Sequence, residues 1–286
     1  MFVIIGIVVV IISVVAGFTI AGGNLFLLIQ ISEFITIGGA VIGSVLIASP
    51  VTLIKKIIKV FPKIFKHSKN TKEDYTEMLK AFSDLFLIAQ REGLLAIEKH
   101  IEEPDTSEIL NRNKKFVNDK YRKNFFCDTM KVMLAGSVPP HEMEGLMDAD
   151  IETYEKENKP VIETISRVGD SLPGLGIVAA VLGIIVTMAS INQGAEAVGH
   201  HVAAALVGTF LGVLLAYGFV NPLAANIANM FEEDVQDLQI IKTYILAYAK
   251  GNPPFVAAEI ARRTIFSDER PSFQELEAFL RGKKDK

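Results

Sequence analysis

Residues 170–231 read DSLPGLGIVAAVLGIIVTMASINQGAEAVGHHVAAALVGTFLGVLLAYGFVNPLAANIANMF. After Asp170 this stretch carries one formal charge, Glu196, before Glu232. Two apolar arms, Leu172 to Ile191 and Val202 to Val220, flank a short polar turn. Each arm is close to the ~20 residues a helix needs to cross a ~30 Å hydrocarbon core. The stretch reads as a transmembrane hairpin with a proline at each end, Pro173 and Pro222.

Working outward, the 286-residue chain is 50% hydrophobic, but unevenly so. No Asp, Glu, Lys or Arg occurs in residues 1–32 or 34–54, whereas residues 55–170 are charge-rich. Apolar blocks around a polar insert fit a multi-span membrane protein. Phe2 to Ile20 and Phe34 to Ile54 read as two further spans. In lipid the backbone must satisfy its own hydrogen bonds, and without strict alternation these segments are helices. The first lacks the basic start of a signal peptide and reads as a retained span. Lys55, Lys56, Lys59, Lys63, Lys66 and Lys69 follow with no acid before Glu73, which marks that end as cytoplasmic. Their spacing among Ile, Val and Phe makes an amphipathic juxtamembrane helix able to lie on anionic headgroups, not a nucleic-acid patch. The expected class is an all-α integral membrane protein of four spans, with a large helical cytoplasmic insert between the second and third. The expected division is 1–54 for two spans, 55–170 for the insert, 171–223 for the hairpin and 224–286 for C-terminal helices, with both termini cytoplasmic.

Within the insert, Tyr75 to Glu103 carries apolar residues at helical spacing, interrupted at Gly93. Lys114 to Met133 forms a second run, and Pro139-Pro140 opens a strongly acidic third. Helices are expected over 232–250, 256–263 and 272–280, before a basic tail of Lys283, Lys284 and Lys286.

Catalysis finds no footing. The five histidines (His67, His100, His141, His200, His201) form no HxH or HExxH set, and the one cysteine, Cys127, has no metal-binding partner motif. Dinucleotide, P-loop and GxSxG fingerprints are absent, and no cofactor is expected. No ionisable residue stands at mid-membrane, because Glu33 and Glu196 fall near the outer boundary. A protonatable group on any ion path would then come from another chain. The hairpin offers hydroxyls at Thr187, Ser190 and Thr209; a lone membrane threonine often bonds its own i−4 carbonyl instead. Pro173 removes the donor for the Gly169 carbonyl and Pro222 that for Gly218. Either proline could be structural: with Ser171 as N-cap, Pro173 falls in a first turn, and Pro222 can end a helix. Ala204, Gly208, Gly212 and Ala216 recur every four residues, answered by Gly176, Ala180 and Gly183, a pattern for close helix packing.

The runs Val168–Val181, Val207–Ala224 and Glu269–Glu277 (ERPSFQELE), with Gly38–Ser44 and Glu144–Glu152, closely resemble the MotA family of bacterial flagellar motor stator proteins. The resemblance spans essentially the whole chain. It implies an inner-membrane ring of five copies around MotB, whose Asp carries the transported proton or sodium, and a cytoplasmic domain that pushes on the rotor protein FliG. It implies that Pro173, Pro222, Thr209 and the small Ala180 serve the ion path and its coupling. Glu98 matches the family's acidic rotor contact. The basic position falls on Gln90, with Arg91 beside it, and one residue turns a side chain ~100° around a helix. An energiser of the ExbB/TolQ type and a non-transporting scaffold are the competing readings. Four spans and the ERPSF segment speak against the first, and the paired prolines against the second.

Overall fold

The computed structural model describes residues 2–66, 69–136, 138–189 and 191–282. Ser190, His67 and the tail lysines lie outside them. The described residues are helical, without strands, and four helices are long and apolar enough to cross a membrane. The chain divides into two compact units, Met1–His67 with Glu157–Met230, and Ser68–Lys156 with Phe231–Lys286.

The first unit begins with α1 (Phe2–Ile20), which has no buried residue and turns large apolar side chains outward on every face. That is the signature of a helix solvated by hydrocarbon. Asn24 caps a 3₁₀ turn, Leu25–Leu28, by accepting from the Phe26 N–H. Next comes α2 (Ile31–Ala48). The sequence predicts a span to Ile54, but α2 stops earlier. Pro50 forces Ser49 into extended backbone (φ −126°, ψ 136°), and residues 51–54 open a separate helix, α3 (Val51–Lys66).

The second unit holds α4 (Lys72–Glu92), α5 (Glu98–Glu102), α6 (Lys114–Asn118) and α7 (Lys120–Ala135). A reciprocal capping box between Thr71 and Asp74 starts α4, and Gly93 ends it at φ 91°, a conformation that excludes ordinary side chains. The break expected at Gly93 is therefore real. Asp119 separates α6 from α7 by capping the latter through the Tyr121 and Arg122 N–H groups.

A 50-residue helix, α8 (Pro140–Ala189), then supplies residues to both units. At 1.5 Å per residue it is about 75 Å long. It overturns one expectation: Ser171 is no N-cap. Its hydroxyl donates to the Val168 carbonyl inside a continuous helix, so Pro173 stands mid-helix. The return leg is α9 (Ala195–Leu215), a π-helical turn (Ala216–Val220) and α10 (Asn221–Ala249). The chain closes with α11 (Pro254–Arg262) and α12 (Phe273–Leu280), the latter opened by a Ser272–Glu275 capping box.

The second unit packs around aromatic rings. Phe82 stacks on Phe126 at 4.5 Å and meets Phe116 and Tyr244 edge-on. One side chain of that unit is a buried cation. Arg122 bonds Asp234 at 2.9 Å and Asp237 at 2.8 Å, and Asp237 also accepts from the Tyr75 hydroxyl and the Asn70 amide. Burial outweighs these partners and holds the Asp237 carboxyl up at about 6.

Candidate functional site

The site is built where α8 and α9 cross in antiparallel order. A methyl group on Gly176 would stand 2.7 Å from the Gly208 carbonyl oxygen and 3.1 Å from the Gly212 Cα. One on Gly212 would stand 2.5 Å from the Leu172 carbonyl oxygen. These backbones touch, and only glycine permits it. Around them Leu172, Ala179, Val207, Leu211 and Ala216, with Ile37 of α2, form the unit's small buried core. Of the small-residue row, Gly208, Gly212 and Ala216 are buried, while Ala204 is half-buried and its neighbour Ala205 meets Gly183. Ala179 turns its side chain into the core, and Ala180, half-buried, presents its backbone nitrogen to Gly208.

Below this crossing the two prolines flank a second contact. A methyl on Gly169 would fall 1.7 Å from the Asn221 Oδ1, so the Asn221 amide fills the space a side chain would need. Asn221 donates to Asp170 at 3.3 Å, while its Oδ1 is buried without a donor among the described residues. Gly169 is also the residue whose carbonyl Pro173, lacking an N–H, leaves without its helical partner. On the return leg the π turn ends at Val220, two residues before Pro222, and the Asn221 N–H reaches back five residues to the Ala216 carbonyl. A π turn widens the helix by one residue and is a frequent companion of functional sites. Gly218 within it packs against Val10 of α1. Both prolines therefore interrupt regular hydrogen bonding beside one interhelical contact.

Thr209 is half-buried on the same crossing. The hydroxyls of Thr19, Ser171 and Thr187 donate to carbonyls three or four residues back. No such bond engages the Thr209 hydroxyl among the described residues.

Sequence reasoning missed Glu33. It lies in the first turn of α2, is only 6% exposed, and its Oε2 has no hydrogen-bond partner among the described residues. That oxygen sits 2.5 Å from where a Gly208 side chain would begin. The signal was present: Glu33 is the single formal charge in residues 1–54. Its depth was not, because a position near a helix start says nothing about which neighbour covers it. An apolar cavity of about 170 Å³ lies between α2 and the hairpin, lined by Phe34, Ile37, Leu172 and Leu211 among others.

In the second unit, Gln90, Arg91 and Glu98 are all exposed on either side of the Gly93 break. Neither Arg91 nor Glu98 has an ion-pair partner among the described residues. Gln90 borders a surface cavity of about 420 Å³ with Leu94, Met143 and Tyr248.

Residues 117–240 match the MotA/TolQ/ExbB proton channel family, which gives the class: a multi-span membrane protein with a channel-type role. Residues 4–93 match the motility protein A N-terminal family. Motility protein A of Salmonella typhimurium is 38% identical over 99% of this chain and 96% of its own, and that of Escherichia coli 37% identical over 100% and 97%. The flagellar MotAB stator complex of Bacillus subtilis superposes with a TM-score of 0.73 at 25% identity, covering 90% of this chain and 92% of that one. A C. jejuni MotAB chain shares the fold at TM-score 0.78 and 23% identity, over 95% and 98%. The chain belongs to the motility protein A family.

Proposed function

We propose that this chain is the stator subunit of a bacterial flagellar motor, forming with MotB an ion channel that converts ion flow into torque. Full-length similarity to proteins named motility protein A carries the reading. The hairpin supplies the wall of the path: close-packed Gly176, Gly208 and Gly212, Ala180, and the Thr209 hydroxyl. MotB supplies the protonatable Asp, and the transported ion is the proton. Five copies surround the MotB spans in the inner membrane, with both termini cytoplasmic. One ion falling through 100 mV releases ~2.3 kcal/mol, so torque requires many transits coupled to a two-state element. Pro173, the π turn and Pro222 form that element, since each relaxes the helical ladder beside the Gly169–Asn221 contact. Exposed Glu98 and Arg91, with Gln90 between α4's last turns and the cavity, face the rotor protein FliG.

Complementation tests this. Co-expressed with its MotB in a strain lacking both proteins, the chain is expected to restore swimming. Pro173→Ala and Pro222→Ala are expected to abolish torque while membrane insertion and MotB co-purification persist. Normal swimming of both variants overturns the coupling role. Collapse of speed with a protonophore, and its persistence in sodium-free medium, identifies the proton.

A further inference from the structure

We infer that α3 is a binding site for anionic phospholipid headgroups, in which Lys55, Lys59 and Lys63 contact the phosphates and Val51, Ile58, Phe61 and Phe65 enter the acyl layer. At 100° per residue, the helix sorts its side chains onto three faces. Leu53, Ile57, Val60 and Ile64 form the covered face, with Val60 and Ile64 buried, and α3 packs on α1 and α2. Lys56 fixes the same side by pairing with Glu157 of α8 at 2.8 Å. A second face turns outward and is apolar: Val51 is 65% exposed, Ile58 64%, Phe61 38% and Phe65 44%. The third holds Lys55, Lys59 and Lys63, all exposed and spaced one turn apart. Among the described residues no acidic side chain pairs with any of the three.

This arrangement differs from an ordinary solvated face. Water tolerates lysines but not a row of four large apolar residues alongside them. A second protein copy would cover the apolar row but leave three aligned ammonium groups uncompensated. A bilayer surface carrying negative charge satisfies both faces at once: apolar side chains enter the acyl boundary and lysines meet the headgroups. Position agrees, because α3 starts directly after Pro50, where the α2 span ends. The inference rests on the multi-span reading and on none of the motor mechanism.

The test uses the full-length chain in nanodiscs of phosphatidylcholine, with trace spin-labelled phosphatidylglycerol or spin-labelled phosphatidylcholine. An attraction near a charged surface is worth about fivefold in affinity per lysine. Phosphatidylglycerol is expected to associate at least fivefold more strongly than phosphatidylcholine, and K55Q/K59Q/K63Q to remove that preference. The triple Lys→Arg variant keeps the charge and is expected to keep the preference. As a second measurement, the chain has no tryptophan, so Phe65→Trp gives a single reporter. Its emission is expected to be quenched by phospholipid brominated near the glycerol backbone. A chain that inserts normally yet shows no preference for phosphatidylglycerol overturns the inference while leaving the span reading intact. An indole in the Phe65→Trp variant that bromolipid leaves unquenched and that is shielded from aqueous iodide overturns it as well, and assigns the apolar face to a second copy.

Discussion

The two units bury their interiors by opposite means. In the unit of residues 1–67 and 157–230, the closest contacts are made by glycine and alanine, a few branched side chains such as Leu172, Leu211 and Ile37 fill in around them, and many large apolar side chains face outward. In the other unit the interior is Phe82, Phe86, Phe116, Phe126 and Tyr244, fully buried, with the Arg122–Asp237 pair as a buried ionic inclusion. Water drives large apolar groups inward, so the second unit is held by area removed from solvent. Hydrocarbon gives no such drive between helices, and the first unit relies on backbones approaching closely enough for van der Waals contact. The same side-chain deletion should therefore have different consequences on the two sides, and an inserted methyl group should matter most where the rings are absent.

The largest expected effect comes from enlarging the glycine seam. Gly212→Leu places a branched side chain where even Cβ is 2.5 Å from the Leu172 carbonyl oxygen, and loss of the folded, MotB-associated protein is expected on size-exclusion chromatography. A stable complex would show that the seam is not what holds this unit. Next is the buried ion cluster of the aromatic unit. Arg122→Met leaves Asp237 buried without its cation and should cost about 3–5 kcal/mol in denaturant unfolding followed by Tyr fluorescence. The double variant with Asp237→Leu should recover most of that loss, since apolar packing replaces the pair.

Matched truncations sharpen the contrast directly. Phe82→Ala should cost about 3–5 kcal/mol through its cavity. Ile12→Ala, at a position 60% exposed on α1, should change stability in detergent by less than about 0.5 kcal/mol. Equal losses would argue that α1 is covered by protein. The smallest effect is a pH slope. Asp237 ionises near 3.8 in an unfolded chain and at about 6 when folded, so the folded state holds more protons between those values. Its contribution thus grows as pH falls from 6 towards 4 and declines as pH rises, by on the order of 1 kcal/mol per pH unit. Glu275 has the opposite sign. Its bond to Lys72 and its cap on Ser272 lower it to about 2, so its contribution is present above about 4.5 and is lost as pH falls below that. Glu77, raised by burial, also titrates in this window, so the Asp237 contribution is the difference between the slopes of the unsubstituted and the Arg122→Met/Asp237→Leu proteins over pH 4.5 to 6, the latter expected to be the shallower.

Much of this architecture is legible in the chain because it depends on near neighbours. The uniform apolarity of Phe2–Ile20 and the helix break at Gly93 are local properties, and the structure repeats them residue for residue. The helix start at Ser272 is equally local. The Pro50 break was also legible by its effect on Ser49, although the apolar run through Ile54 masks it. Ser171 shows the limit. A serine two residues before a proline is a sound N-cap signal, yet the preceding turns are already helical and continuous hydrogen bonding along α8 overrides it.

By itself, then, the sequence determined the number of spans, the polar insert, the glycine seam and the absence of any acid within the hairpin arms, since composition and period suffice for each. Only the tertiary structure decided that Glu33 is buried against Gly208, that Gly169 receives Asn221 and that Arg122 is ringed by Asp234 and Asp237. Each of those depends on a neighbour far away in the chain. Burial and pairing are properties of contact, and no local pattern records which distant side chain will supply it.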